Sequence, residues 1–130
     1  MNPITYGIVL FAHGSRDLLW RAPIEAVQKY ILAHHPGVAV RCAYLELSTP
    51  DLSQAVHDLV EQGATTVTIV PMFLGTGKHA REDLPVLVDN LCTQHPTVQI
   101  VVQGAIGEDP RMTALMASIA CTPPSEGAQF

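Results

Sequence analysis

Two histidines and one glutamate stand where this chain could gather a metal ion. His13 opens the run His13-Gly14-Ser15-Arg16, Glu46 follows Tyr44-Leu45, and His79 ends Phe73-Leu74-Gly75-Thr76-Gly77-Lys78-His79. Imidazole with carboxylate suits a divalent first-row transition metal, whereas an all-oxygen set suits magnesium or calcium. Three protein ligands leave coordination positions open, as chemistry on a metal requires. Singly, these residues have plainer uses. A histidine at a strand end commonly caps or hydrogen-bonds, and a lone glutamate is commonly a solvated loop charge. The set gains meaning only if the fold brings it together.

Positive charge gathers around the same residues. The formal net charge is -5 and Lys plus Arg number only seven, yet Arg16, Lys78 and Arg81 fall within three positions of His13 or His79. The plain account is solvated loop charge. The functional account is a ligand with several carboxylates, gripped by charge-assisted hydrogen bonds. Gly75-Thr76-Gly77-Lys78 invites a phosphate-loop reading, but Met72 stands where that loop's first glycine belongs, and His79 where its Ser or Thr belongs. A glycine turn that lets a flat ligand approach is the better use of these residues. Ser15 lacks the flanking glycines of a nucleophile elbow.

Four apolar runs must position these residues: 6–12, 38–45, 66–70 and 98–102. They are rich in Val and Ile and nearly continuous, as in parallel strands covered on both faces. Helix-like segments alternate with them. Ile24, Val27 and Ile31 mark the first, with Pro23 in its first turn. Thr49 is expected to cap the second, with Pro50 at its first position, Leu52, Ala55, Val56 and Leu59 as its apolar face, and Gly63 at its end. Asp83 is expected to cap the third, which carries Leu84, Leu87, Val88 and Leu91, with an earlier start that includes Arg81 and Glu82 as the alternative. Asp109-Pro110 starts the fourth, with Met112, Leu115, Met116 and Ile119 at helical spacing. The alternation predicts an α/β fold: one four-stranded parallel sheet in the order 2-1-3-4 with helices on both faces. Ligands of open α/β sheets bind beyond the carboxyl ends of the strands. His13, Glu46 and His79 would then leave three neighbouring strands, the outer two about 10 Å apart.

With 130 residues and 48% hydrophobic composition, the chain fits one globular domain. We expect the domain over 1–121 and a flexible tail over 122–130. The acidic balance speaks against a nucleic-acid partner. No apolar run is long enough to span a bilayer, and no basic, signal-like start is present. Cys42, Cys92 and Cys121 make an odd number without a C-x-x-C pair, so we expect small core residues in a reducing, cytoplasmic setting.

His13-Gly14-Ser15-Arg16, then Tyr44-Leu45-Glu46, then Pro71 to His79 followed by Asp83-Leu84-Pro85, resemble the short-form class II sirohydrochlorin chelatases, the CbiX- and SirB-like proteins. The resemblance covers roughly 7–119. It implies a single chelatase-like lobe and insertion of cobalt, iron or nickel into sirohydrochlorin, on the way to cobalamin, siroheme or a nickel coenzyme. It implies no ATP and no organic cofactor: the divalent metal is a substrate. Carried over by position, His13, Glu46 and His79 would bind metal, and a histidine would accept pyrrole protons. Ser15, Arg16, Phe73, Leu74, Gly75, Thr76, Gly77, Lys78 and Arg81 would contact the tetrapyrrole. Longer relatives build their cleft from two similar lobes; this chain has sequence for one, so a homodimer is expected. Two other readings compete. His-Gly after a strand suits a histidine-dependent phosphoryl-transfer enzyme, although Ala12 stands where the preceding Arg belongs. A non-catalytic metal or tetrapyrrole carrier is the third.

Overall fold

The computed structural model describes residues 5–123, so most of the expected tail lies outside the described residues. Strands β1 (Tyr6–Ala12), β2 (Val38–Tyr44), β3 (Thr66–Pro71) and β4 (Gln99–Val102) alternate with helices α1 (Ala22–His34), α2 (Leu52–Glu61), α3 (Lys78–Gln94) and α4 (Pro110–Cys121). The sheet is wholly parallel and ordered β2-β1-β3-β4, as the alternation predicted. Two 3₁₀ turns, Leu18–Arg21 and Ile106–Glu108, were not foreseen. No helix among the described residues is long and apolar enough to cross a membrane.

The sheet's two faces carry separate clusters. One holds Val9, Phe11, Ala43, Val67 and Ile69 beneath α2 and α3, with Leu52, Ala55, Val56, Leu59 and Leu91 fully or nearly buried. Each Leu or Val buried there contributes about 1.5–3 kcal/mol of transfer free energy. The other holds Leu10, Val40, Cys42 and Tyr44 beneath Ile24, Val27 and Ile31 of α1.

Helix starts differ from expectation at two places. Asp51, not Thr49, caps α2: its carboxylate accepts from the Gln54 amide at 2.9 Å, and Pro50 lies before the helix, joined to Thr49 by a cis peptide. Asp sits nearer the apolar stripe than Thr49 and is an equally good cap. Helix α3 begins at Lys78 behind Gly77, five residues ahead of Asp83, and carries Pro85 inside it. Asp109 does cap α4, and Gly63 follows α2 with a positive φ of 106°.

Of the three cysteines only Cys42 is buried; Cys92 and Cys121 are exposed. Cys92 directly follows buried Leu91, and one residue along a helix turns a side chain about 100° away from the core stripe.

Candidate functional site

The parallel order brings three strand ends to one edge. Beyond β1 and β2 the ladder continues for two more rungs: Leu45 donates to the Ala12 carbonyl at 2.8 Å, and Glu46 to the His13 carbonyl at 2.9 Å. His13 and Glu46 are thus backbone neighbours. Met72 does the same on the other side, donating to Phe11 at 2.7 Å. His79 arrives from a different element than expected, the first turn of α3 rather than the loop.

These residues share one cavity of about 380 Å³, lined by His13, Leu45, Glu46, Gly77, Lys78, His79, Ala80 and Asp83. Among the described residues no three His, Cys, Asp or Glu side chains are gathered closely enough to hold a metal ion as they stand. A cation entering the cavity would have to draw the side chains inward. The start of α3 adds free backbone N–H groups and a positive dipole end at the same wall.

The backbone here permits few substitutions. Gly14 has φ 106°, and a Cβ there would collide with the Glu46 carbonyl. Beside it the Ser15 amide donates to Ser48 Oγ at 3.2 Å, and Ser48 Oγ donates to the Ser15 carbonyl at 2.7 Å. The two loops carrying His13 and Glu46 are therefore tied to each other twice over.

Phe73, expected among the tetrapyrrole contacts, is buried, 2% exposed. Its ring lies under the His13 imidazole, centroids 4.3 Å apart and planes 29° from parallel. Leu74 and Gly75 are exposed. Of the basic residues only Lys78 lines the cavity; it also lies 3.9 Å from Glu82. Arg81 turns back to donate to the Thr76 carbonyl at 3.1 Å, and both line an apolar groove between α3 and β4 instead. Arg16 is exposed and lines no described cavity near His13.

Sequence reasoning missed Asp83 as a cavity residue, having taken it for a cap. The signal was available: in one helix, residues four apart share a face, so Asp83 accompanies His79. It also missed Gly107. Its amide donates to the Phe73 carbonyl at 2.9 Å, and a Cβ there would collide with the Leu74 backbone. The turn after β4 thus props the residue beneath His13.

The CbiX family model matches residues 7–121. The sirohydrochlorin cobaltochelatase of Sulfolobus acidocaldarius is 27% identical over 110 residues, 85% of each chain. The sirohydrochlorin cobaltochelatase of Methanosarcina acetivorans is 33% identical over 79 residues, 61% of each chain. Among solved structures, the CbiX protein from Marinobacter aquaeolei superposes with a TM-score of 0.76 at 32% identity, over 88% of this chain and 93% of that one. The sirohydrochlorin chelatase SirB from Bacillus subtilis, in complex with cobalt, gives 0.72 at 28% identity; this chain spans about half of it, 51%. An all-parallel sheet of this order, a histidine-lined edge and a match over nearly the whole sequence agree, and the chain belongs to the CbiX family.

Proposed function

We propose that this protein inserts a divalent metal ion into a sirohydrochlorin-type tetrapyrrole without ATP. The observation that carries the reading is the placement of His13, Glu46 and His79 on one cavity at the carboxyl edge of the sheet, in a member of the CbiX family. Relatives named as cobaltochelatases and ferrochelatases support the substrate pair.

In this reading His13, Glu46 and His79 receive the incoming ion. The overall step exchanges the ion for two pyrrolic N–H protons, so a base must take protons as the metal settles. Imidazole, with an ordinary pKa of about 6.5, suits that task near neutral pH. Glu46 supplies negative charge that favours the approaching cation. An open set of N and O donors holds metal less tightly than a closed thiolate cage and can pass it on to four pyrrolic nitrogens. Lys78 and the start of α3 meet the peripheral carboxylates of the tetrapyrrole, and Arg16 and Arg81 join that positive rim only where a second copy brings them to the cleft.

The working unit in this reading is a two-fold homodimer. One sheet edge offers one wall, and a macrocycle needs two. A second copy supplies the other through the commonest form of self-association.

Anaerobic incubation with sirohydrochlorin and cobalt, iron or nickel in turn, followed by absorption spectroscopy, tests the proposal. Protein-dependent conversion to the metallated spectrum with at least one metal is expected. Rates equal to the protein-free reaction for all three would reject it.

A further inference from the structure

Leu47 stands in a conformation that its residue type resists. Its φ is 63°, and among the described residues it is the one non-glycine with a positive φ. A bulky side chain enters this left-handed region rarely, whereas Gly or Asn enters it readily.

The loop leaves no other place for the turn. Just before it, the Glu46 amide donates to the His13 carbonyl at 2.9 Å, and the Glu46 carbonyl lies so close to Gly14 that a Cβ there would collide with it. Just after it, Ser48 Oγ accepts from the Ser15 amide at 3.2 Å and donates to the Ser15 carbonyl at 2.7 Å. Two ties to one loop bracket a single residue, so the reversal falls on position 47. The backbone explains why a left-handed residue is needed there. It does not explain why that residue is leucine.

Packing does not explain it either. Leu47 is 55% exposed and belongs to neither core cluster of the sheet. A strained residue that fills no core points to function, and its neighbours indicate which. Consecutive Cα atoms lie about 3.8 Å apart, so Leu47 stands directly beside Glu46, which lines the cavity with His13 and His79. Leu74, 72% exposed, follows Phe73, the ring beneath His13. Because β1 lies between β2 and β3, an exposed leucine stands beyond the strand on either side of His13.

We propose that Leu47 is a tetrapyrrole-binding residue whose side chain lies against the apolar face of the macrocycle and seats it beside Glu46. The inference rests on the chelatase function proposed above and adds a contact to it. A tetrapyrrole has two kinds of surface. Its carboxylate rim calls for cations, and its flat conjugated face calls for apolar partners. Leu74 was expected on one side of His13; Leu47 supplies the apolar partner on the other. The leucine surface that faces water in the free protein is covered when the macrocycle binds, and that burial offsets the backbone strain.

Titration of the full chain with metal-free sirohydrochlorin, beside urea melts, tests this on three single variants. Leu47→Gly relieves the backbone, so its urea midpoint should equal or exceed the parent's, while the tetrapyrrole's dissociation constant rises about tenfold. Leu47→Met and Leu47→Gln keep the side-chain length and the strained backbone. The Met variant should bind within about threefold of the parent, and the Gln variant as weakly as the Gly variant. Equal dissociation constants in the parent and in the Gly and Gln variants would overturn the role of Leu47 and leave the proposed function standing. A parent that does not bind sirohydrochlorin would overturn both. Light scattering should find self-association of the Gly variant unchanged. Self-association weakened as much as tetrapyrrole binding would overturn the direct contact, because Leu47 would then act between copies.

Discussion

His13 and Phe73 work as a pair. One face of the imidazole rests on a ring that is itself packed against Phe11, centroids 6.0 Å apart, so the plane of His13 is held by the core. Phe73→Leu should cost about 0.5–3 kcal/mol of stability in a urea melt. It should also lower kcat more than it raises KM, because His13 loses its rest; an unchanged kcat would reduce Phe73 to packing alone. His13→Ala and His79→Ala should each lower the insertion rate by orders of magnitude with the fold retained, since both side chains are exposed. Near-normal turnover in both would dismiss them as the reacting groups. Cys42 differs from the other thiols: burial first, then the Glu25 carboxylate, pushes it up to about 11. Thiol titration at pH 8 should therefore find Cys92 and Cys121 quickly and Cys42 only on unfolding. Rapid labelling of all three would contradict that burial. The candidate set His13, Glu46 and His79 could be picked out of the sequence because each lies beyond an apolar run. The support beneath it was not, because Phe73 lies in a glycine-rich turn whose pattern gives no period from which to read burial.

At the scale of elements, strands were the readable part. Continuous Val and Ile runs marked β1 at both ends, and β2, β3 and β4 each missed by one residue. Helix α3 was misplaced because a proline two residues past Asp83 suits a first turn, whereas the structure tolerates Pro85 inside the helix. The price of that proline is one lost backbone hydrogen bond. Helix α4 was placed correctly at Asp109-Pro110, but its spacing could not reveal that among the described residues none of its side chains is buried. Its cap also makes a pH prediction. Hydrogen bonds from Arg111 hold the Asp109 carboxyl well below the usual carboxylate range, at about 2. The folded pKa is depressed, so the cap's contribution is present above about 4, the ordinary value for Asp, and is lost as pH falls towards 2. Asp109→Asn should flatten the stability profile across that window in denaturant melts. An unchanged profile would show that the pair is screened away by solvent.

For the whole molecule, the decisive comparison is between ligand and cavity. The cavity at the sheet edge is about 380 Å³, near the lower end of the roughly 300–1,000 Å³ typical of small-ligand sites. A tetrapyrrole ringed by carboxylates is larger than such a cavity can enclose. This chain matches 51% of the length of SirB, so a lone copy corresponds to about half of that protein. If two copies form the cleft, activity must follow the dimer. Specific activity per chain should stay constant at high protein concentration and fall steeply once dilution passes the dissociation constant measured by light scattering. Excess sirohydrochlorin should move that point to lower concentration, because a ligand gripped by both copies favours the assembled state. If Arg16, Lys78 and Arg81 grip the tetrapyrrole, rising salt should weaken its binding, because such charges act through screened electrostatics. Arg16, Lys78 and Arg81 neutralised together should raise KM and remove most of that salt dependence, while kcat changes little. Arg81 is the sharpest member of the set. In one copy it faces the Thr76 carbonyl and the groove between α3 and β4, away from His13. Its contribution to the tetrapyrrole's dissociation constant, measured by titration without metal, should therefore vanish in a monomeric variant if it reaches the tetrapyrrole only across the pair. An Arg81→Gln effect of equal size in monomer and dimer would place its action within one chain.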